Sequence, residues 1–140
     1  MTHSDLRKNV VYRIPTLKFE IKEKTKLQFI TNLDDLYKKT KKLNSIPIFI
    51  TQKTLRGTKI KNKIYSRDNF DYFSYEQEVA RIITNFCKEK KIYCIDINKK
   101  FDFDLNDTYD LVHLSPSGAE KLSDLIFNEL KEIKDIYIVY

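Results

Sequence analysis

Ile92-Tyr93-Cys94-Ile95-Asp96-Ile97 decides the fold class of this chain. Four of its six residues are β-branched or aromatic, and charged or amide residues flank it on both sides. That is the pattern of a buried strand. Directly before it, Tyr75, Val79, Ile82, Ile83, Phe86 and Cys87 fall on one side of a helical period, with Asp71 or Ser74 as the N-terminal cap. Further back, Ile46-Pro47-Ile48-Phe49-Ile50-Thr51 repeats the strand character, with Pro47 placed where a strand tolerates it, at the first residues. A strand, a helix and a second strand in this order imply a right-handed crossover and parallel pairing.

Outward from this unit, Leu27, Ile30, Leu33, Leu36, Tyr37 and Leu43 recur at steps of three and four and predict an amphipathic helix over residues 26–43. Residues 52–70 show no sustained period and read as a long loop, a kind of segment that is often functional. Residues 98–114 read as an acidic loop carrying Asp102, Asp104, Asp107 and Asp110. A last helix opens at Ser115-Pro116-Ser117-Gly118-Ala119-Glu120, where serine capping and an early proline mark a start. Its expected buried stripe is Ala119, Leu122, Leu125, Ile126, Leu130 and Ile133. Leu17, Phe19 and Ile21 alternate as a strand would, and residues 135–140 can form a terminal strand or a frayed end. No repeat and no linker divides residues 1–140, so one domain is expected. The expectation is an α/β, three-layer, flavodoxin-like unit. Its parallel sheet is so short that the unit reads as incomplete on its N-terminal side.

Composition narrows the function. With 140 residues, 41% hydrophobic and 13% aromatic, the chain is long and apolar enough for a core, which excludes global disorder. No apolar run approaches the ~20 residues of a membrane span, and the first residues lack the apolar core of a signal peptide. A cytoplasmic chain is expected, unless an upstream segment carries an address. The net charge of +6 invites a polyanion partner. Lysine enrichment beside only two glycines and two alanines points instead to a general composition bias and a solvated lysine surface. Cys87 and Cys94 lack metal or disulfide-framework spacing and are expected as two buried, reduced thiols.

Of the two histidines, His3 lies in the polar N-terminal stretch, and His113 is the candidate general base. Asp110 stands three residues before it, in a loop that follows a strand and precedes a helix. A carboxylate so placed can hold Nδ1–H of the imidazole, leave Nε2 as proton acceptor and stabilise the imidazolium. The outgoing ends of parallel strands are where ligands gather. A histidine that merely caps or packs at the start of the last helix is the competing reading.

The stretch Leu105-Asn106-Asp107-Thr108-Tyr109-Asp110-Leu111-Val112-His113-Leu114-Ser115-Pro116-Ser117-Gly118-Ala119-Glu120-Lys121-Leu122 resembles the last block of the SGNH, or GDSL-type, hydrolases, in which Asp and His stand three apart before a glycine-containing turn and the final helix. The order of elements over residues 26–130 is similar as well. The resemblance implies hydrolysis of small-molecule acyl esters without a cofactor, by a serine nucleophile with His113 as base then acid and Asp110 as its orienter. The family's Gly-Asp-Ser motif and its oxyanion-hole blocks have no match here, since the glycines are Gly57 and Gly118 alone. Ser115 and Ser117 read as helix caps. The resemblance therefore implies either the C-terminal part of such an enzyme, nearly inactive alone and completed by an upstream segment or partner chain that supplies the nucleophile, or a degenerate relative of the family.

Two other readings stand beside it. A non-enzymatic basic module would bind nucleic acid or another polyanion through Lys53, Arg56, Lys59, Lys61, Lys63 and Arg67, with Tyr65 and Phe70 interleaved for stacking. Alternatively, Asp102, Asp104, Asp107, Asp110 and His113 would form an oxygen-rich metal site, although their spacing matches no calcium loop. The preferred reading assigns no metal.

Overall fold

The two strands read from the sequence lie side by side and parallel. A computed structural model describes residues 11–133 other than Phe103. β1 (Ile48–Ile50) pairs with a strand formed by Tyr93–Ile95, in the register Ile48 with Tyr93, Phe49 with Cys94 and Ile50 with Ile95. The helix Tyr72–Lys90 connects them. In chain order the elements are α1 (Glu23–Lys42), β1, β2 (Gly57–Ile60), β3 (Lys63–Ser66), α2 (Tyr72–Lys90), β4 (Tyr93–Ile95), the single turn α3 (Ile97–Lys100), a 3-10 turn (Leu105–Asp107) and α4 (Pro116–Lys131). The chain is thus of the α/β class with small sheets. Among the described residues no helix is long and apolar enough to cross a membrane.

Strand alternation sorts the core into two clusters. Phe49 and Cys94 pack with Leu33, Ile82, Ile83, Phe86 and Cys87 of α1 and α2. Ile48 and Ile95 pack with Ile97 and Phe101, and with Leu122, Leu125, Ile126 and Leu130 of α4. Each such side chain removed from water contributes about 1.5–3 kcal/mol. Cys87 is buried while Cys94 is only half-buried, and both are free thiols.

Local signals set the helix ends. Asp71 caps α2 by accepting from Ser74 N at 2.9 Å. Lys91, at φ 54°, ends the helix in the left-handed conformation, with Ile92 N donating to Cys87 O at 3.0 Å. Ser115 caps α4, and Pro116 follows at its first turn.

Several expectations are corrected. Residues 52–70 are not one loop: β2 and β3 form an antiparallel hairpin, turning at Lys61 (φ 46°) and Asn62 (φ 64°). Two successive left-handed residues match the twist of a hairpin and are compatible with asparagine. On α1 only the strip of Phe29, Ile30, Leu33 and Tyr37 meets the core; Leu27, Leu36 and Leu43 are exposed, because α1 packs on α2 along one line. Ala119 is exposed, and Gly118 takes the buried position on α4. Leu17, Phe19 and Ile21 form no regular strand; single bridges from Arg13 to Ser66 and from Leu17 to Phe70 tie this segment to the hairpin side. Residues 135–140 lie outside the described residues, as does His3.

Candidate active site

The outgoing ends of β1 and β4 are tied to each other. Thr51 N donates to Ile95 O at 3.0 Å, and the Thr51 hydroxyl donates to Asp96 Oδ1 at 2.9 Å while accepting from Asn98 N at 3.0 Å. From Thr51 the chain runs out to Leu55, whose N–H donates to Leu111 O at 2.8 Å. Leu111 is the buried plug of the turn that carries Asp110 and His113. The turn is closed at its base by an antiparallel bridge between Thr108 and Leu114, and by Tyr109 N donating to His113 O at 2.8 Å. One backbone bond therefore joins the dyad loop to the segment leaving β1, and the Leu111 side chain of that loop is buried.

Within the turn Asp110 accepts three hydrogen bonds. Oδ1 takes the backbone N–H groups of Val112 and His113, each at 2.7 Å, and Oδ2 lies 2.7 Å from His113 Nδ1. An ionised carboxylate only accepts, so this contact places the proton on Nδ1 and leaves Nε2 with a free lone pair. The imidazole side, at 77% exposure, faces solvent. The His113 ring, then the His113 and Val112 backbone N–H groups, hold the Asp110 carboxyl well below the usual carboxylate range. The carboxylate stays charged and oriented, and the ring has a defined tautomer. Such a pair can take a hydroxyl proton and return it.

The neighbouring serines are otherwise engaged. Ser115 Oγ donates to Asn106 O at 2.7 Å and accepts from Gly118 N, and Ser117 Oγ reaches Asn106 O at 3.4 Å. Ser115 is the helix cap, as expected; Ser117 is not a cap but lies within the first turn of α4, its hydroxyl turned to Asn106 O and Ser115.

The acidic residues are taken up by basic partners, Asp104 standing 3.6 Å from Lys121 and sharing it with Asp107. Asp107, 1% exposed, is ion-paired with Lys121 at 2.7 Å and accepts from Asp104 N, while Asp102 stands 3.5 Å from Lys53. Among the described residues no group of three or more acidic, histidine or cysteine side chains is placed to hold a metal ion. The metal reading of Asp102, Asp104, Asp107, Asp110 and His113 thus loses its cluster: Asp110 serves His113 and Asp107 serves Lys121.

Beside the dyad lies a cavity of about 220 Å³, walled by Gln52, Thr54 and Arg56 from the β1 side, by Tyr75, Glu76 and Val79 of α2, and by Val112. The Glu76 carboxylate accepts from Thr54 N at 3.2 Å and from the Thr54 hydroxyl. Burial pushes its pKa up, against the pull of those bonds and of the Arg56 and Lys53 charges. Sequence reasoning did not single out Glu76, Thr54 or Leu111. A signal for Glu76 exists: it stands three residues after Phe73 and three before Val79, on the apolar side of its helix.

Comparison with protein-family models, with curated proteins and with solved structures gave no match to this chain.

Proposed function

We propose that this chain is the C-terminal, dyad-bearing portion of an SGNH-type ester hydrolase with a three-layer, flavodoxin-like architecture. His113 is the general base and then acid, Asp110 is its orienter, and the nucleophilic hydroxyl belongs to an upstream segment or a partner chain. The observation that carries this reading is the 2.7 Å contact between Asp110 Oδ2 and His113 Nδ1, in a turn seated on the chain leaving β1. Clusters packed on alternate sides of β1 and β4 support the layered architecture.

The chemistry follows from the free Nε2. It accepts the hydroxyl proton as the oxygen attacks the acyl carbon, and the imidazolium then protonates the departing alcohol. Water repeats the cycle on the acyl-enzyme, giving up its proton to Nε2, and the imidazolium returns a proton to the nucleophile as the acid leaves. Asp110 remains ionised and stabilises the imidazolium.

The test joins residues 1–140 to an upstream segment bearing Gly-Asp-Ser and follows hydrolysis of a chromogenic acetyl ester. Cleavage is expected in the joined protein, with a loss of about 10²–10⁴-fold in His113→Ala. A folded joined protein that leaves the ester intact would overturn the reading.

A second reading, a non-enzymatic module that binds nucleic acid or another polyanion, rests on the hairpin. Lys59, Lys61 and Lys63 are exposed around its tip, and Arg56 and Arg67 are exposed at its base, where Arg67 N donates to Arg56 O at 2.9 Å. The aromatic part of that idea is weaker. Phe70 packs edge-on against Phe19 and Tyr72 and is half-buried, not free to stack on a base. Binding of single-stranded RNA that weakens steeply with salt would favour this reading.

A further inference from the structure

The cavity between Thr54, Glu76 and Val112 serves no role in proton transfer, yet it adjoins the residue that precedes His113. Its polar groups are of opposite sign. Glu76 presents a carboxylate whose two oxygens each receive one hydrogen bond from Thr54, which leaves each a second lone pair. Arg56 and Lys53 act on that carboxylate through space, and the Arg56 guanidinium lies 5.1 Å from the centroid of the Tyr72 ring.

These charges exclude most ligand types. An acyl chain would strip water from Glu76 and put nothing in its place, a heavy penalty for a charged group. An ammonium would meet Arg56 in the cavity wall, and a carboxylate or phosphate would meet Glu76. A hydroxyl both donates and accepts at no net charge. One of an adjacent pair can donate to Glu76 while the other accepts from Arg56 or from the Gln52 amide. The Tyr75 ring, 41% exposed, and Val79 supply the apolar wall that the C–H face of such a molecule covers. The volume lies below the ~300–1,000 Å³ of sites for drug-sized ligands, so one small unit is admitted.

We propose that this cavity binds a neutral vicinal diol, held by Glu76 and Arg56, as the alcohol portion of the ester whose acyl bond lies at His113. Its place in a reaction rests on the hydrolase reading; the binding itself does not.

The experiment is a titration of the full 140-residue chain followed by amide NMR, with methyl glucoside, butylammonium chloride and sodium butyrate as separate probes at matched ionic strength. Saturable shifts at Thr54, Glu76 and Val112 are expected with the glucoside alone. Glu76→Gln and Gln52→Ala are each expected to weaken it, the former by about tenfold for loss of a charge-assisted bond. Gln52→Ala leaves the backbone carbonyl that accepts from Asn98 in place, so it tests the site even if Glu76→Gln disturbs the fold. Saturation by butylammonium or butyrate in place of the glucoside overturns the proposal. So does an absence of shifts with all three, or glucoside binding that both variants leave undiminished. Glucoside binding together with an inert joined protein would sink the hydrolase reading and keep the diol site. Ester cleavage by the joined protein without glucoside binding would do the reverse.

Discussion

Leu55 N donates to Leu111 O at 2.8 Å, and this one bond joins the segment leaving β1 to the turn that holds Asp110 and His113. Leu55 is itself held from its other side, its carbonyl accepting from the Tyr12 hydroxyl at 2.6 Å. The dyad loop therefore depends on contacts of long sequence separation as well as on its own bonds.

Leu111 is 2% exposed, so Leu111→Ala empties a buried position in the turn that carries the dyad. A loss of about 2–5 kcal/mol in urea unfolding is expected, with faster hydrogen exchange at the Leu55 amide. A change below the usual noise of surface substitutions would show that the turn does not use Leu111 as its plug.

Asp110→Ala deletes the acceptor of the Val112 and His113 amides and of the His113 ring. Both amides should exchange faster, and nitrogen NMR should show the ring changing from one tautomer, with the proton on Nδ1, to a mixture. The depressed carboxyl also carries a pH signature. Its folded value lies below its unfolded one, so its contribution to stability is complete above about pH 4 and is lost as pH falls through the folded value. Wild-type stability should therefore fall more than that of Asp110→Ala as the pH is lowered below about 4.

Glu76 has the opposite sign, because burial raises its pKa. Between its unfolded and folded values the native state binds more protons than the unfolded chain, so wild-type stability declines as pH rises through that window. Glu76→Gln lacks this titration. The stability of Glu76→Gln relative to wild type should increase from pH 4 upward and then level off; a difference flat with pH would contradict the burial of this charge.

Gly118 starts α4 against the backbone of Asp107. A Cβ built there would stand 1.9 Å from Asp107 O and 2.7 Å from its carbonyl carbon. Gly118→Ala gains about 1 kcal/mol of helix propensity, but neither backbone can move aside without breaking the Ser115–Asp107 bond. A net loss of about 1–3 kcal/mol is expected from calorimetric or denaturant unfolding, the size of an overpacked core position. A stabilised variant would mean that α4 and the 3-10 turn are free to separate.

How much was legible differs by element. The two core strands and the intervening helix were readable because each carries its own period, and the parallel pairing followed from the order. The Asp71, Ser115 and Pro116 start signals were readable because capping is a contact across three or four residues. The hairpin was missed because its strands are four residues each and its turn uses Lys61-Asn62 without the glycine that usually advertises such a turn. The exposure of Leu27, Leu36, Leu43 and Ala119 was also missed. Periodicity tells which residues share a helix side, and neighbours alone decide how much of that side is covered.

The sequence by itself determined the chemistry available at the dyad: an aspartate three residues before a histidine in a turn, a spacing that a single backbone reversal brings within hydrogen-bond reach. Only the tertiary structure decided what surrounds it. The hydrogen bond from Leu55 N to Leu111 O, the pairing of Asp107 with Lys121 and the turning of Glu76 toward Thr54 all join residues at least 14 positions apart. No local propensity specifies such meetings; they arise when strands and helices pack and each buried polar group must find its partner.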